Sequence, residues 1–308
     1  MTIWPLVVWV PWIIPLTLFP QNTGKEHLVQ ALTLERQGQY AQAVGILQPI
    51  ATSGNLSPSE LDRIWTYIGY ARQEQGNFQD AQRAYELAIQ IARTLPNGSG
   101  DYPTALDNLA DLDQARGDLR SASRLERSAL HLFQEDGNRV GTAWALTHLS
   151  VLELTRRHEK NASRYLQRAA QEAQAAPQLG RDYYSSLASA NAWLAELEGD
   201  SLTAIVEYRR SIALLTCSRC AQLGWQDVLL GKAYAENGQL AEASETMRLG
   251  LTILASTAGE EAPKYLAAKI AYEHVLDRTE QHSRSVGLKM SAQKEPSTLD
   301  SGSVQNMR

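Results

Sequence analysis

An all-α solenoid, a row of helix–turn–helix units with almost no strand, is the fold that three observations predict for this 308-residue chain. The first is a recurring phrase. "GNFQDAQRAY", from Gly76 to Tyr85, has relatives in "GQYAQAVGIL" at Gly38, "GDLRSASRLE" at Gly117, "GDSLTAIVEY" at Gly199 and "GQLAEASETM" at Gly238. The second is its spacing. Aligned on the glycine, the slots are Gly38, Gly76, Gly117, Arg157, Gly199, Gly238 and, weakly, Glu280, which lie 38 to 42 residues apart. Self-similarity at such a period marks stacked repeats rather than a single central core. The third is a register of small residues. Ala43, Ala81, Ala122, Ala162, Ala204 and Ala243 each follow a slot by five positions, with Ser285 in the weak last copy.

The upstream half of each unit keeps the same register. Seven residues before the slot stand Ala31, Gly69, Ala110, Ser150, Ala192 and Gly231, and small residues at fixed helix positions let two backbones approach closely. Nine residues after the slot stand Leu47, Tyr85, Glu126, Leu166, Tyr208 and Met247, bulky and apolar or aromatic except for Glu126. Leu240, Ala243, Met247, Gly250, Leu251 and Leu254 step by three or four, one apolar stripe along a helix. Gly76, Gly117, Gly199 and Gly238 suit the left-handed conformation that ends a helix. The following Asn77, Asp118 or Asp200 is suited to cap the next one.

Outside the repeats the composition changes. Residues 1–22 form a hydrophobic N-terminal segment, with no charge from Ile3 to Phe19 and three of the seven Trp at positions 4, 9 and 12. That length is near the lower limit for a membrane helix, and Pro5, Pro11 and Pro15 interrupt it. A cleaved signal peptide is the other reading, although no basic residue precedes the apolar run. Both imply an exported or membrane-anchored, extracytoplasmic protein, with possible membrane association through residues 3–19; a cytoplasmic chain with a buried N-terminal segment is the alternative. The solenoid is expected over residues 23–292. The polar tail over 293–308, with "KEPSTLDSGSVQ" at its start, is expected to be disordered. Cys217 and Cys220, in "LLTCSRCAQ", are the only cysteines; no other ligands complete a zinc site, so a loop pair that oxidises on export is expected.

The combination W-x-x-L-G in a first helix, a small-Gly turn and A-x-x-x-[FYL]-x-x-A in a second resembles the tetratricopeptide repeat. "WTYIGYARQEQGNFQDAQRAYELAI" (Trp65 to Ile89) and "LLGKAYAENGQLAEASETMRLGL" (Leu229 to Leu251) are very similar to it. The resemblance covers residues 24 to about 280. It implies a right-handed α-solenoid of about six to seven repeats, lengthened from the usual 34 residues to about 40. It also implies a non-catalytic protein–protein interaction scaffold, with a ligand- or peptide-responsive sensor as the alternative.

Charge and motifs exclude other classes. A net charge of −5 and a pI near 5.7, with no Lys/Arg cluster, argue against nucleic acid. "GWQDVLLGKA" has too many residues between Gly224 and Gly231 for a phosphate loop, and Ala233 where Ser or Thr is needed. The six His, at 27, 131, 148, 158, 274 and 282, fall at no ligand spacing, and no catalytic constellation, cofactor or metal set is read from the sequence. In the family, the concave wall is built mainly by first helices. The positions this implies for partner binding are Arg63, Tyr70, Asp107, Asp111, Trp144, Trp193, Trp225 and Lys232, a neutral-to-acidic groove with aromatic anchors. A carboxylate clamp of paired Lys, Arg and Asn is not expected, since Asn108 stands there without a basic pair.

Overall fold

The computed structural model describes residues 24–53, 56–95 and 102–293. The expectations for residues 3–19 and for the tail beyond 293 lie outside them. Among the described residues there are thirteen α-helices and no strand, and no helix is long and apolar enough to cross a membrane. Six antiparallel pairs follow the repeat register: α1 (Gly24–Arg36) with α2 (Tyr40–Thr52), α3 (Pro58–Glu74) with α4 (Phe78–Ala92), α5 (Tyr102–Ala115) with α6 (Leu119–Glu135), α7 (Arg139–Thr155) with α8 (Glu159–Gln174), α9 (Arg181–Leu197) with α10 (Ser201–Leu214), and α11 (Ala221–Glu236) with α12 (Leu240–Thr257). A single long helix, α13 (Pro263–Gln293), closes the array. The weak seventh slot is therefore corrected: with Glu280 in place of a glycine, α13 runs straight through it instead of turning.

The turns inside the pairs share one hydrogen-bond pattern. The amide after each slot residue donates to a carbonyl five residues back: Gln39 to Leu34, Asn77 to Arg72, Asp118 to Asp113, His158 to Glu153, Asp200 to Ala195 and Gln239 to Tyr234, all within 2.8–2.9 Å. This is the Schellman arrangement, which satisfies the last carbonyls of the first helix and needs a left-handed residue at the slot. The five slot glycines have φ between 72° and 85°, and Arg157 is forced to 58°. Asp118 and Asp200 cap the second helix through Ser121 N–H and Thr203 N–H, each at 3.0 Å. Asn77 occupies the same position without a side-chain cap, contrary to expectation.

Small residues upstream of the turn receive bulky ones from downstream. A Cβ added at Gly69 would lie 2.5 Å from the Tyr85 ring, and one at Gly231 would collide with Met247. Gly224 and Gly250 face each other, each blocked by the other's carbonyl at 2.5–2.8 Å. The two helices of a pair are thus pressed backbone to backbone, and Tyr85, Tyr208, Leu47 and Met247 are fully enclosed.

Odd-numbered helices touch their odd-numbered neighbours, whereas no two even-numbered helices are in comparable contact. The odd helices therefore lie at smaller radius and form the inner wall. The array curls until its ends meet, so the groove is a closed turn rather than an open trough. One core cluster joins Leu28, Tyr40, Leu47, Ile64 and Ile68 of the first helices to Val228, Tyr234, Met247, Leu254, Ala268 and Val275 of the last. Tyr40 Oη accepts the Ala221 amide at 3.3 Å, Gly38 abuts Thr257, and Lys264 pairs with Glu74 at 2.7 Å.

Arg157→Gly is expected to stabilise the protein by about 1 kcal/mol, because the left-handed region costs an L-residue about that much and the gain exceeds the added chain entropy of glycine. Gly69→Ala should destabilise by about 1–3 kcal/mol through overpacking on Tyr85. Urea denaturation of both variants checks the signs. Lys264→Met should lower the melting temperature and enlarge the radius of gyration in small-angle scattering, since it strands a buried carboxylate at the junction of the two ends. Adding Glu74→Gln to it should recover part of the loss.

Candidate functional site

The inner wall carries an acidic, tyrosine-rich surface built from helices that are far apart in sequence. Its first part lies where the ends meet. Glu35 of α1 and Glu74 of α3 are both buried, and Tyr40 and Tyr70 meet edge to face with centroids 6.3 Å apart. Lys264 donates to both Glu74 oxygens, at 2.7 and 2.9 Å, while Glu35 Oε1 has no hydrogen-bond partner. Burial, reinforced by the Glu74 charge, pushes the Glu35 carboxyl up to about 8. Burial and the same two carboxylates raise the phenols of Tyr40 and Tyr70.

The second part is centred on the middle repeats. Asp107 and Asp111 stand one turn apart on α5 and so share a face. His148 of α7 reaches across, with Nδ1 at 2.8 Å from Asp107 Oδ1 and 3.8 Å from Glu126 Oε1 of α6. Burial alone would strip the proton from His148, but the Asp107 and Asp111 charges outweigh it and hold the imidazole up to about 10. Asp107 is buried, yet the charge and hydrogen bond of His148 keep its carboxyl below the usual range. Burial, and then Asp107, drive Glu126 well upward. Trp144 covers this group, its ring 5.6 Å from His148 and edge-on to Tyr183 at 5.2 Å. The two parts act on each other across the interior: Asp111 of α5 feels both Lys264 of α13 and Glu74 of α3.

The eight positions expected to bind a partner are distributed unevenly over this surface. Asp107, Asp111 and Trp144 converge on His148, and Tyr70 joins the Glu35–Glu74 group. Lys232 belongs to a separate ion pair further along, with Glu196 at 3.2 Å and Glu236 at 3.8 Å. Trp193 packs beside Leu154 and Leu166, and Trp225 against the core that joins the two ends. Arg63 is exposed on α3. Glu35, Glu74, Glu126, His148 and Lys264 were not singled out by sequence. Of these only Glu126 left a signal, as the one charged residue at the position that elsewhere holds Leu, Tyr or Met.

Two further features lie off this wall. Cys217 and Cys220 are bonded to each other in the connector before α11, next to the junction of the ends. A hollow of about 290 Å³ is lined by Arg127 of α6, Arg164, Tyr165 and Arg168 of α8, and Glu153 and Asn161. Its acid is already held by Arg156, His158 and Asn161 at 3.0–3.2 Å.

The Glu35 carboxyl makes stability fall as pH rises. Folded, it keeps its proton up to about pH 8, whereas unfolded it loses it near 4.5, so the folded chain binds more protons throughout that window. Glu35→Gln should flatten the decline in melting temperature between pH 5 and 8 and leave the variant more stable than wild type at pH 8. An unchanged pH profile in thermal melts would refute this assignment.

Residues 60–135, from α3 through α6, match the family described as tetratricopeptide repeat. No curated protein matches the chain in sequence. Among solved structures it is similar to NprR in complex with its cognate peptide NprX, at 14% identity and a TM-score of 0.59, over 81% of this chain and 72% of that one. It is similar to a Rap protein complexed with Competence and Sporulation Factor, at 13% identity and a TM-score of 0.56, over 84% and 87%. The third is a chain of the APC/C hetero-tetramer Cut9–Hcn1, at 17% identity and a TM-score of 0.56, over 81% of this chain and 43% of that one, less than half its length. At such identities the likeness is one of fold. With its helix pairs, left-handed turns and small-under-bulky packing in one register, this chain has the fold of a tetratricopeptide-repeat solenoid with units of about 40 residues, and its residues 60–135 match that family.

Proposed function

We propose that the protein is a non-catalytic interaction scaffold that holds a partner segment against its inner wall. The observation that carries this reading is the concentration of Glu35, Glu74, Asp107 and Asp111, with Tyr70 and Trp144, on helices that face one another across a closed turn. Buried carboxylates beside aromatic rings fit a segment that brings positive charge, such as Lys or Arg side chains or a free N-terminal amine. Two solved structures of similar fold are complexes, NprR with its cognate peptide NprX and the Rap protein with Competence and Sporulation Factor, which supports a peptide as the occupant here. An extracytoplasmic location belongs to the same proposal. It is supported by the uncharged run from Ile3 to Phe19 and by the Cys217–Cys220 bond, since disulfides persist in oxidising compartments.

A sensor is the second reading, favoured by one feature. The ends of the array meet through the shared apolar cluster and through polar contacts around Lys264 and Tyr40, so a ligand that prefers one degree of closure would shift the balance between closed and open forms.

Photo-cross-linking separates these readings from the absence of any inner-wall partner. A photoreactive residue at Tyr70 should capture a specific polypeptide from native membranes or lysate, whereas one at Val206, exposed on the outer helix α10, should not. Binding should weaken with added salt, and Tyr70→Ala should reduce affinity by about tenfold or more, as at other aromatic anchors. Equal capture from both positions, or none from Tyr70, rejects the scaffold. Capture accompanied by a change in radius of gyration favours the sensor.

A further inference from the structure

Glu126 has no place in an ordinary helical repeat. At the position where the other five units carry Leu47, Tyr85, Leu166, Tyr208 and Met247, this one buries a carboxylate that is 0% exposed. Neither oxygen is reached by a hydrogen-bond donor, although the Asp107 carboxyl lies close enough to share a proton with it. Removing an ionised group from water without compensation costs several kcal/mol, so such a side chain persists only with a counter-charge or a proton. The nearest cationic atom, His148 Nδ1, is 3.8 Å away and already turned to Asp107 Oδ1 at 2.8 Å.

The three groups converge. One donor atom from each of Asp107, Glu126 and His148 lies within 4.8 Å of the other two, on three different helices. Ligands bound tetrahedrally to a zinc-sized ion at about 2.0–2.1 Å sit about 3.3 Å from one another. The two separations from His148, 2.8 and 3.8 Å, lie on either side of that value, and the Asp107 and Glu126 oxygens are within 4.8 Å of each other, so modest side-chain adjustment would bring all three to ligand distance. Asp111, one turn along α5 on the same face as Asp107, is electrostatically coupled to His148. One imidazole nitrogen with two or three carboxylate oxygens is a donor set for a borderline divalent ion, harder than a thiolate site and softer than an all-oxygen one.

We propose that Asp107, Glu126 and His148 form a divalent transition-metal site, of the zinc or manganese class, on the inner wall. The ion takes the place of the proton between His148 and Asp107, releasing it to solvent, and supplies the counter-charge that Glu126 lacks. It ties α5, α6 and α7 together where the acidic wall would otherwise repel itself. The proposal is independent of the scaffold reading: a protein with no peptide partner could hold the ion, and a scaffold could lack it.

The test uses the full chain, stripped with chelator and titrated with Zn²⁺, Mn²⁺ and Co²⁺ at neutral pH. About one equivalent of one of these ions is expected to bind and raise the melting temperature, with Co²⁺ giving the visible absorption of a low-symmetry site. Glu126→Gln, of the same shape, and His148→Ala should weaken binding by more than about 100-fold, beyond the effect of outer-shell changes. Glu86→Gln, exposed on the outer helix α4, should bind normally. Glu126→Leu restores the side-chain type of the other repeats. It should melt higher than wild type without metal and show no metal-induced rise, which separates a ligand from a packing defect. Binding well below one equivalent for all three ions, or binding unaffected by Glu126→Gln and His148→Ala, overturns the site and leaves a proton shared between Glu126 and Asp107 as the compensation.

Discussion

The close approach of the two helices in each pair governs everything else in this molecule. It requires a residue without bulk seven positions before the turn and a large one nine positions after it, as Gly69 receives Tyr85 and Gly231 receives Met247. Packed interiors transmit such constraints because they have no slack to absorb them. Given that contact, the turn between the helices has little freedom, and a left-handed residue with a Schellman bond is its solution six times over. Arg157 shows how strong the constraint is: the backbone adopts the left-handed conformation even where the side chain opposes it.

The same geometry sets the curvature. Inner helices pack more closely on one another than outer helices do, so each unit is a wedge, and six wedges bring the end of the array back to its start. Closure makes an exposed wall into an interior one. Carboxylates that would be solvated on an open groove come to face each other and to lose water, which is why Glu35 holds a proton near neutral pH and Lys264 is drawn to Glu74. Burial of this kind is costly for a carboxylate unless a proton or a counter-charge compensates it.

Within the wall, the aromatic side chains and the charged ones divide the work. Trp193 and Trp225 fill space between units and stabilise the array. Tyr70 and Trp144 are also partly packed, but they stand beside charged pairs, Glu74 with Lys264 and His148 with Asp107. An aromatic ring next to a buried charge offers a partner both area and polarity, whereas a ring inside a core offers neither. The position of a Trp in its repeat does not by itself say what surrounds it; its neighbours across the interior do.

Helix pairs, turn positions and the small-to-bulky register were all legible in the residues, because each depends on side chains within a single repeat, as Gly69 meets Tyr85 and Gly231 meets Met247. The exception at position nine, Glu126, was visible too, although a pattern cannot say what an exception is for. Closure of the array, the pairing of Glu74 with Lys264 across 190 residues and the meeting of His148 with Asp107 across 41 were decided by the tertiary structure alone. The reason is cumulative: each repeat adds a small rotation, and only the sum over six of them determines which inner-wall residues come face to face. A local phrase such as "GNFQDAQRAY" encodes the angle of one step and contains no information on where the sixth step ends.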